Sequence, residues 1–422
     1  MRCKIRYFTI ICVFVFLIFF RPASYILGNK ISTYLNYYIV ALFIATVIFS
    51  VYLRRFGYRM TKTSMLILLL YFWELVGSSI INTLLGKSIA YSNAINFFCE
   101  AALFILVCDI GMAYSPKKTI RAFLFVGITI CALNALSFFL YYKRGGMYTG
   151  VQDYNYGRRI ERNTYFLLGR DNATFFWSWP VLVCSWYYYL KYKKNRLFFS
   201  VVIIYTVLVT YSYFYVWSVM AAFACASVPF AIIFLYRSIQ RQNRDKSNNG
   251  KGKPLNFGYL WVAGLLFNVL LSLGLMIQYM LPLIVDVFHR TNTLSSRTII
   301  WERGYFEIFR SPIWGYGTEL TETTVAKLTI NHTHNFFLET MYRGGIIGLV
   351  ILIMMFVTLT KETQRCCKLN IYKYLIWMVF FLLIFMSVEF AYYRYHYLIL
   401  LILLSRSDIK DDFSFAVRRS AA

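Results

Sequence analysis

Residues Leu294–Gly348 read LSSRTIIWERGYFEIFRSPIWGYGTELTETTVAKLTINHTHNFFLETMYRGGIIG. Their reading decides how the chain is arranged, because they form a long polar and structured stretch in a sequence otherwise made of apolar runs. Outward from them in both directions, apolar segments near 20 residues recur, the length an α-helix needs to cross ~30 Å of hydrocarbon. Of the 422 residues, 59% are hydrophobic and 20% aromatic, well beyond an ordinary water-soluble domain. The runs are too long and too uniformly apolar for β-barrel strands, which alternate in polarity. The expected fold is an all-α integral membrane protein of about twelve transmembrane helices, one polytopic domain over residues 1–422.

The formal charge of +26 would suggest nucleic acid in a soluble protein. Here Lys and Arg flank the apolar runs, as topology requires, and no basic run is interleaved with aromatics, so no nucleic-acid partner is expected. With Met1–Arg6 inside and Ile5–Phe20 as an uncleaved first span, the inner segments carry 28 Lys and Arg and the outer ones 15. This predicts cytoplasmic N- and C-termini and places residues 286–335 as a large extracytoplasmic loop before the tenth span. Residues 237–256, basic and low in aromatics, read as a flexible cytoplasmic loop. Outside, Arg outnumbers Lys by 11 to 4, which favours planar, bidentate recognition of phosphate or carboxylate over simple headgroup contact. None of the nine cysteines falls in an outer loop, so they are expected to pack rather than to form disulfides.

Within the central stretch, the pattern predicts a helix from about Arg297 to Arg310, capped by Ser295 or Ser296 and ended by Ser311-Pro312. Arg297 falls in its first turn, where the helix dipole disfavours a cation and favours an anion. An anionic ligand there would account for it. Arg303 and Arg310, seven apart, share a face that is either a second phosphate contact or the wet side of the helix. Gly315 and Gly317 make a tight loop in which the backbone either approaches a ligand or takes positive φ. His332 and His334 are two of only four histidines. Two His separated by one residue, with no Cys or clear third ligand nearby, are weak grounds for zinc. A general base or hydrogen-bonding group fits better, with a solvated interfacial His as the plain alternative. Glu339 and Arg343, spaced i,i+4 in the following span, are an ion pair first and a site wall second. Gly344, Gly345 and Gly348 suit close helix packing. Glu74, Glu100 and Asp109 lie within spans, where acids are costly and have a partner or a task.

SSRTIIWERG, then PIWGYGT, then HTHNFFLETMYRGGIIG, in that order and on this topology, resembles the O-antigen ligase/polymerase family of bacterial surface-polysaccharide assembly, the Wzy-type membrane proteins. The resemblance implies a GT-C-like helical fold and a metal-independent glycosyltransferase in the bacterial cytoplasmic membrane, with no cofactor. Its donor and acceptor would be oligosaccharides linked to undecaprenyl pyrophosphate, alongside membrane lipid and the flippase and chain-length regulator of the same pathway. It matches Arg297 to the essential loop Arg and His334 to the His of a His-Asn pair, with Arg297 and Trp301 about four apart. Arg303 and Arg170 would help on the pyrophosphate, and Trp301, Gly315, Gly317, Asn335, Glu339 and Arg343 would line the substrate. One departure stands: where the family often has an Arg before its eighth span, Thr210–Met220 reads TYSYFYVWSVM, without positive charge. Arg170, Arg158 or Arg159 is the substitute expected. The function implied is a polymerase of capsule, exopolysaccharide or O-antigen repeat units. The alternatives are a ligase moving the finished glycan to another acceptor, a transporter or flippase of the pathway, and a non-catalytic scaffold.

Overall fold

A computed structural model describes residues 2–20, 29–141, 148–155, 158–164, 171–192, 258–274, 297–364, 370–387 and 395–406, with isolated positions between 196 and 237. Helices are numbered among these residues. The first half holds α1 (Arg2–Phe19), α2 (Asn29–Arg54), α3 (Lys62–Leu84), α4 (Tyr91–Tyr114), α5 (Pro116–Tyr141) and α6 (Asp171–Tyr192). The second half holds α7 (Gly258–Ser272), α8 (Arg297–Arg310), α9 (Thr321–Leu328), α10 (Phe336–Gln364), α11 (Asn370–Phe385) and α12 (Leu398–Ser405).

Among the described residues, five helices are long and apolar enough to cross a membrane: Lys30–Arg54, Lys62–Leu84, Tyr91–Tyr114, Pro116–Tyr141 and Phe336–Gln364. These coincide with apolar runs read from the sequence. Shorter apolar helices run over Thr9–Phe19, Gly258–Ser272, Tyr372–Phe385 and Tyr395–Ser405. The helical expectation acquires one addition. Tyr148–Asn155 and Arg158–Thr164 pair as an antiparallel hairpin, with Asn155 opposite Arg158 and Tyr154 opposite Arg159. Residues 165–170, with Arg170, and residues 205–226, with the expected eighth-span connection, lie outside the described residues, as do 238–257 and 275–296.

The helices pack as their apolar faces dictate. α3 lies between α4 and α10, α1 against α5, and α7 against α10 and α11. In the core, Phe16 meets Phe123 and Phe19 meets Phe104 edge to face, a geometry favoured by the ring quadrupole, and Phe16 with Phe104 and Phe20 with Phe123 pack tilted. Cys12, Cys99, Cys108, Cys131 and Cys184 are buried and unbridged, acting as small apolar side chains.

At the end of the bundle where α4 finishes and α12 ends, Asp109 is fully buried. The Arg406 guanidinium pairs with it, and the Tyr58 hydroxyl (2.7 Å) and Ser64 hydroxyl (2.8 Å) donate to it. A charge in this setting needs a partner, and this one of the three intramembrane acids has a structural task. The polar stretch occupies the opposite end, where α3 ends and α4 and α10 begin.

Candidate functional site

The site end is built around a helix that breaks. Gly345 sits inside α10 with φ 59° and ψ −156°, far from helical values. The break frees carbonyls that an unbroken helix would use, and other segments supply the donors. Tyr316 N–H donates to the Tyr342 carbonyl (2.8 Å) and Gly317 N–H to that of Arg343 (2.9 Å). The Trp73 indole donates to the Gly344 carbonyl (2.8 Å). In return, Ile346 N–H donates to the Pro312 carbonyl (2.8 Å). The loop Pro312–Gly317 thus substitutes for the missing helical turn.

Glycine is required on both sides of this joint. Gly315 (φ 67°) and Gly317 (φ 65°) are left-handed, where a Cβ is costly. A Cβ on Gly315 would overlap the Arg343 backbone, one on Gly317 would come 2.7 Å from Ser79 N, and one on Gly345 would overlap the Ile313 carbonyl. Gly315 and Gly317 approach other segments of the chain, not an open space reserved for a ligand. Gly345 does more than allow close packing: it interrupts its helix. α3 has its own irregularity at this level, a π turn over Trp73–Gly77, which presents Trp73 and the fully buried Glu74 to Gly344. Such wide turns recur at functional positions.

The second element is the turn that carries the histidines. α9 ends on Thr329 in the left-handed conformation (φ 68°). Thr333 follows, and it is gripped at every polar atom. Its N–H (2.8 Å) and its hydroxyl (2.9 Å) both lie on Glu339 Oε2, while its carbonyl accepts the Trp301 indole N–H (2.9 Å). Glu339 Oε1 takes Arg343 Nε at 2.6 Å, so the i,i+4 pair expected from the sequence is formed, and Glu339 is fully buried. On the other side, Asn335 caps α10: its Oδ1 accepts Leu338 N–H (3.0 Å), and its Nδ2 donates to the carbonyls of Ser387 (2.9 Å) and Asn268 (3.1 Å). Between these two fixed residues His334 takes φ 54°, uncommon for a residue with a Cβ. Its ring lies 4.1 Å from that of His332. Strain of this kind is retained where surrounding contacts over-determine it, and it clusters at functional sites.

α8 is described from Arg297 to Arg310 and ends at the Ser311-Pro312 stop that the sequence predicts, while the expected caps Ser295 and Ser296 lie outside the described residues. At 3.6 residues per turn, Arg297 shares a face with the buried Trp301, Gly304 and Ile308. That face meets α10: a Cβ on Gly304 would lie 2.9 Å from Leu338 and 3.6 Å from Thr333. Arg297 therefore sits one turn from the Trp301–Thr333 bond that leads into His334. Arg303 and Arg310 are exposed on another face, with Arg310 3.4 Å from Glu307.

Residues that the sequence reading did not single out complete the wall. The Tyr316 and Tyr342 rings stack at 5.0 Å. The Tyr316 hydroxyl donates to Glu307 (2.8 Å) and that of Tyr342 to Glu319 (2.7 Å). Lys327 binds Glu319 at 2.5 Å and covers the Tyr316 ring at 3.6 Å, with Lys87 at 4.4 Å. Burial and, next, the nearby Lys327 charge push the Lys87 ammonium below its ordinary range. Only the crowding of acids and tyrosines at 302–322 hinted at this seam. The structure thus gathers His334, Asn335, Glu339, Arg343, Trp301 and the Arg297 face, puts Gly315 and Gly317 at the helix break, and turns Arg303 outward. Trp301 and Asn335 are fully buried and act through the chain they hold.

Comparison with known proteins bears on the same segment. Residues 165–353 match the family described as O-Antigen ligase. The exopolysaccharide production protein ExoQ of Rhizobium meliloti (strain 1021) is 26% identical over 119 residues, 25% of this chain and 27% of that protein. The match therefore spans about a quarter of that relative's length. No solved structure matches the chain. The matched segment 165–353, which contains the broken helix joint, the Thr333 grip and His334, is similar to the O-antigen ligase family.

Proposed function

We propose that the protein is a polymerase that joins undecaprenyl-pyrophosphate-linked oligosaccharide repeat units into a cell-surface polysaccharide. In this reading it is a bacterial cytoplasmic-membrane protein of about twelve spans, with both termini cytoplasmic and the 286–335 loop outside. The acceptor hydroxyl oxygen attacks the anomeric carbon of the donor. The bond from that carbon to the pyrophosphate oxygen breaks, and lipid pyrophosphate leaves with the electron pair. His334 takes or orients the hydroxyl proton. Arg297, with Arg170 as a helper, meets the charge that develops on the leaving group, where a low-dielectric interface strengthens it. The reading assigns no metal and no cofactor to the step. Flippase and chain-length regulator are the partners proposed.

The observation that carries the proposal is His334, held at φ 54° between the gripped Thr333 and the capping Asn335, beside the face of α8 that bears Arg297. A polar histidine locked in an unfavourable conformation by buried partners is hard to explain as a solvated surface group. The name of the ExoQ relative, a production protein for exopolysaccharide, supports polymerisation. The ligase description of the family supports the rival, transfer of the finished glycan to a separate acceptor. The test uses purified protein in nanodiscs with its lipid-linked repeat unit, following glycan length and pyrophosphate release. A product ladder that falls by about 100-fold or more in both His334→Ala and Arg297→Ala supports the polymerase. Release only when a second acceptor is supplied makes it a ligase. Movement of the lipid-linked glycan across proteoliposomes without any release overturns the enzyme reading.

A further inference from the structure

We infer that the turn Ser311–Gly317 and the exposed flank of α8 form a re-entrant wedge seated among the phospholipid acyl chains of the leaflet at the site end. The first argument is depth, and it is independent of any catalytic role. The Ser78 hydroxyl donates to the Trp314 carbonyl (2.6 Å), Asn82 Nδ2 to that of Gly315 (2.9 Å), and Thr318 N–H to Ser79 Oγ (2.8 Å). Ser78 lies six residues inside the end of α3 at Leu84, about 9 Å at 1.5 Å per residue. On the other side, Tyr316 and Gly317 bond to Tyr342 and Arg343, six and seven residues inside the start of α10, again about 10 Å. Two apolar helices thus fix the turn at one depth, below the ends of both.

The second argument is how its backbone is satisfied. Irregular backbone at membrane depth persists only where protein supplies its hydrogen bonds. Carbonyls of Pro312, Trp314, Gly315 and Thr318, and N–H groups of Gly315, Tyr316, Gly317 and Thr318, all have protein partners. A loop lying in water would have no need of this.

The third argument is what the wedge shows outward. Phe309 is 78% exposed, Phe306 59%, Ile313 49% and Trp314 37%, on a segment whose other face is packed. The patch continues onto the lipid-facing side of α3, where Leu84 is 81% exposed and Ile80 47%. Arg303 and Arg310 interleave with these residues, and the Arg310 guanidinium covers the Phe306 ring at 4.5 Å. Apolar side chains below and guanidinium groups beside them match acyl chains and phosphate headgroups.

The test places a reporter on the wedge. Full-length Phe309→Trp is reconstituted in nanodiscs of phosphatidylcholine brominated at a shallow acyl position, with Leu84→Trp as the lipid-facing reference. Emission added over wild type is read against brominated lipid and against aqueous iodide. The expected result is quenching of the Phe309→Trp signal by brominated lipid about as strong as for Leu84→Trp, and weak quenching by iodide. Stronger quenching by iodide than by brominated lipid, with Leu84→Trp still quenched by lipid, overturns the wedge. Neither outcome depends on activity, so the polymerase reading stands or falls separately.

Discussion

α2 and α10 are about equally apolar, yet α2 is buried hardly at all and α10 over nearly half of its most apolar stretch. α2 leans on α4 and presents Ile44, Ile48, Phe49 and a row of tyrosines outward. α10 buries Glu339, Thr340 and Arg343, breaks at Gly345 and takes hydrogen bonds from two other segments. Apolar character alone therefore identifies a span and says nothing of its task. The task resides where helix geometry fails and distant groups repair it.

The sharpest way to break this contrast is to place a side chain at the joint. Gly345→Val should cost about 4 kcal/mol or more, since the added atoms overlap the Ile313 carbonyl at a positive φ. Yield and thermal stability in detergent would collapse, whereas Ile48→Ala on α2 should shift stability by about 0.5 kcal/mol or less. Next comes Glu339→Gln, which leaves Arg343 buried without its carboxylate and should cost about 3–5 kcal/mol. A double-mutant cycle with Arg343→Met checks it: the pair should be less damaged than the sum of the singles. Trp301→Phe keeps an aromatic ring but removes the indole N–H and its bond to the Thr333 carbonyl, costing about 1–3 kcal/mol for the lost bond, with the smaller ring adding a packing cost. Its turnover should fall further than its stability, with KM little changed, because His334 loses its anchor. The smallest effect concerns Lys87. Its folded pKa is depressed, so the unfolded chain holds that proton more tightly, and the charge opposes folding below its folded pKa. As pH rises from there towards 10.5, the unfolded value, this penalty fades. Lys87→Gln should therefore raise the thermal midpoint slightly at pH 8 and not above pH 10.5.

Much of this was legible in the chain. The C-terminal limit of α8 followed from a periodic apolar face and a Ser-Pro stop. The Glu339–Arg343 pair followed from i,i+4 spacing, and the long spans from length and hydropathy. What escaped was non-local. A Gly-Gly pair in a span reads as close packing, and only the approach of Pro312–Gly317, some thirty residues earlier, makes it a break. Thr333 carries no signal of its own, being one threonine among several, yet three groups converge on it. Asn335 looked like a substrate contact because it follows His334, while its Oδ1 is spent on capping α10. Arg303 and Arg297 looked equivalent by residue type, and the helical face separates them. For Arg170 and the expected substitute arginines, no side-chain placement is described.

The latch at the far end has a consequence for how the protein is made. Asp109 is written early in the chain, and its guanidinium partner, Arg406, some three hundred residues later. While the ribosome is still translating the intervening helices, α4 must wait in the bilayer with that carboxylate supported only by neutral hydroxyls, those of Tyr58, Ser64 and Thr61. Chains stopped before Arg406 should be recognised by membrane proteases and show a shorter half-life in pulse-chase, and Asp109→Asn should lengthen it. The ion pair then serves as a mark of completed synthesis, by which the cell tells a finished bundle from an abandoned one.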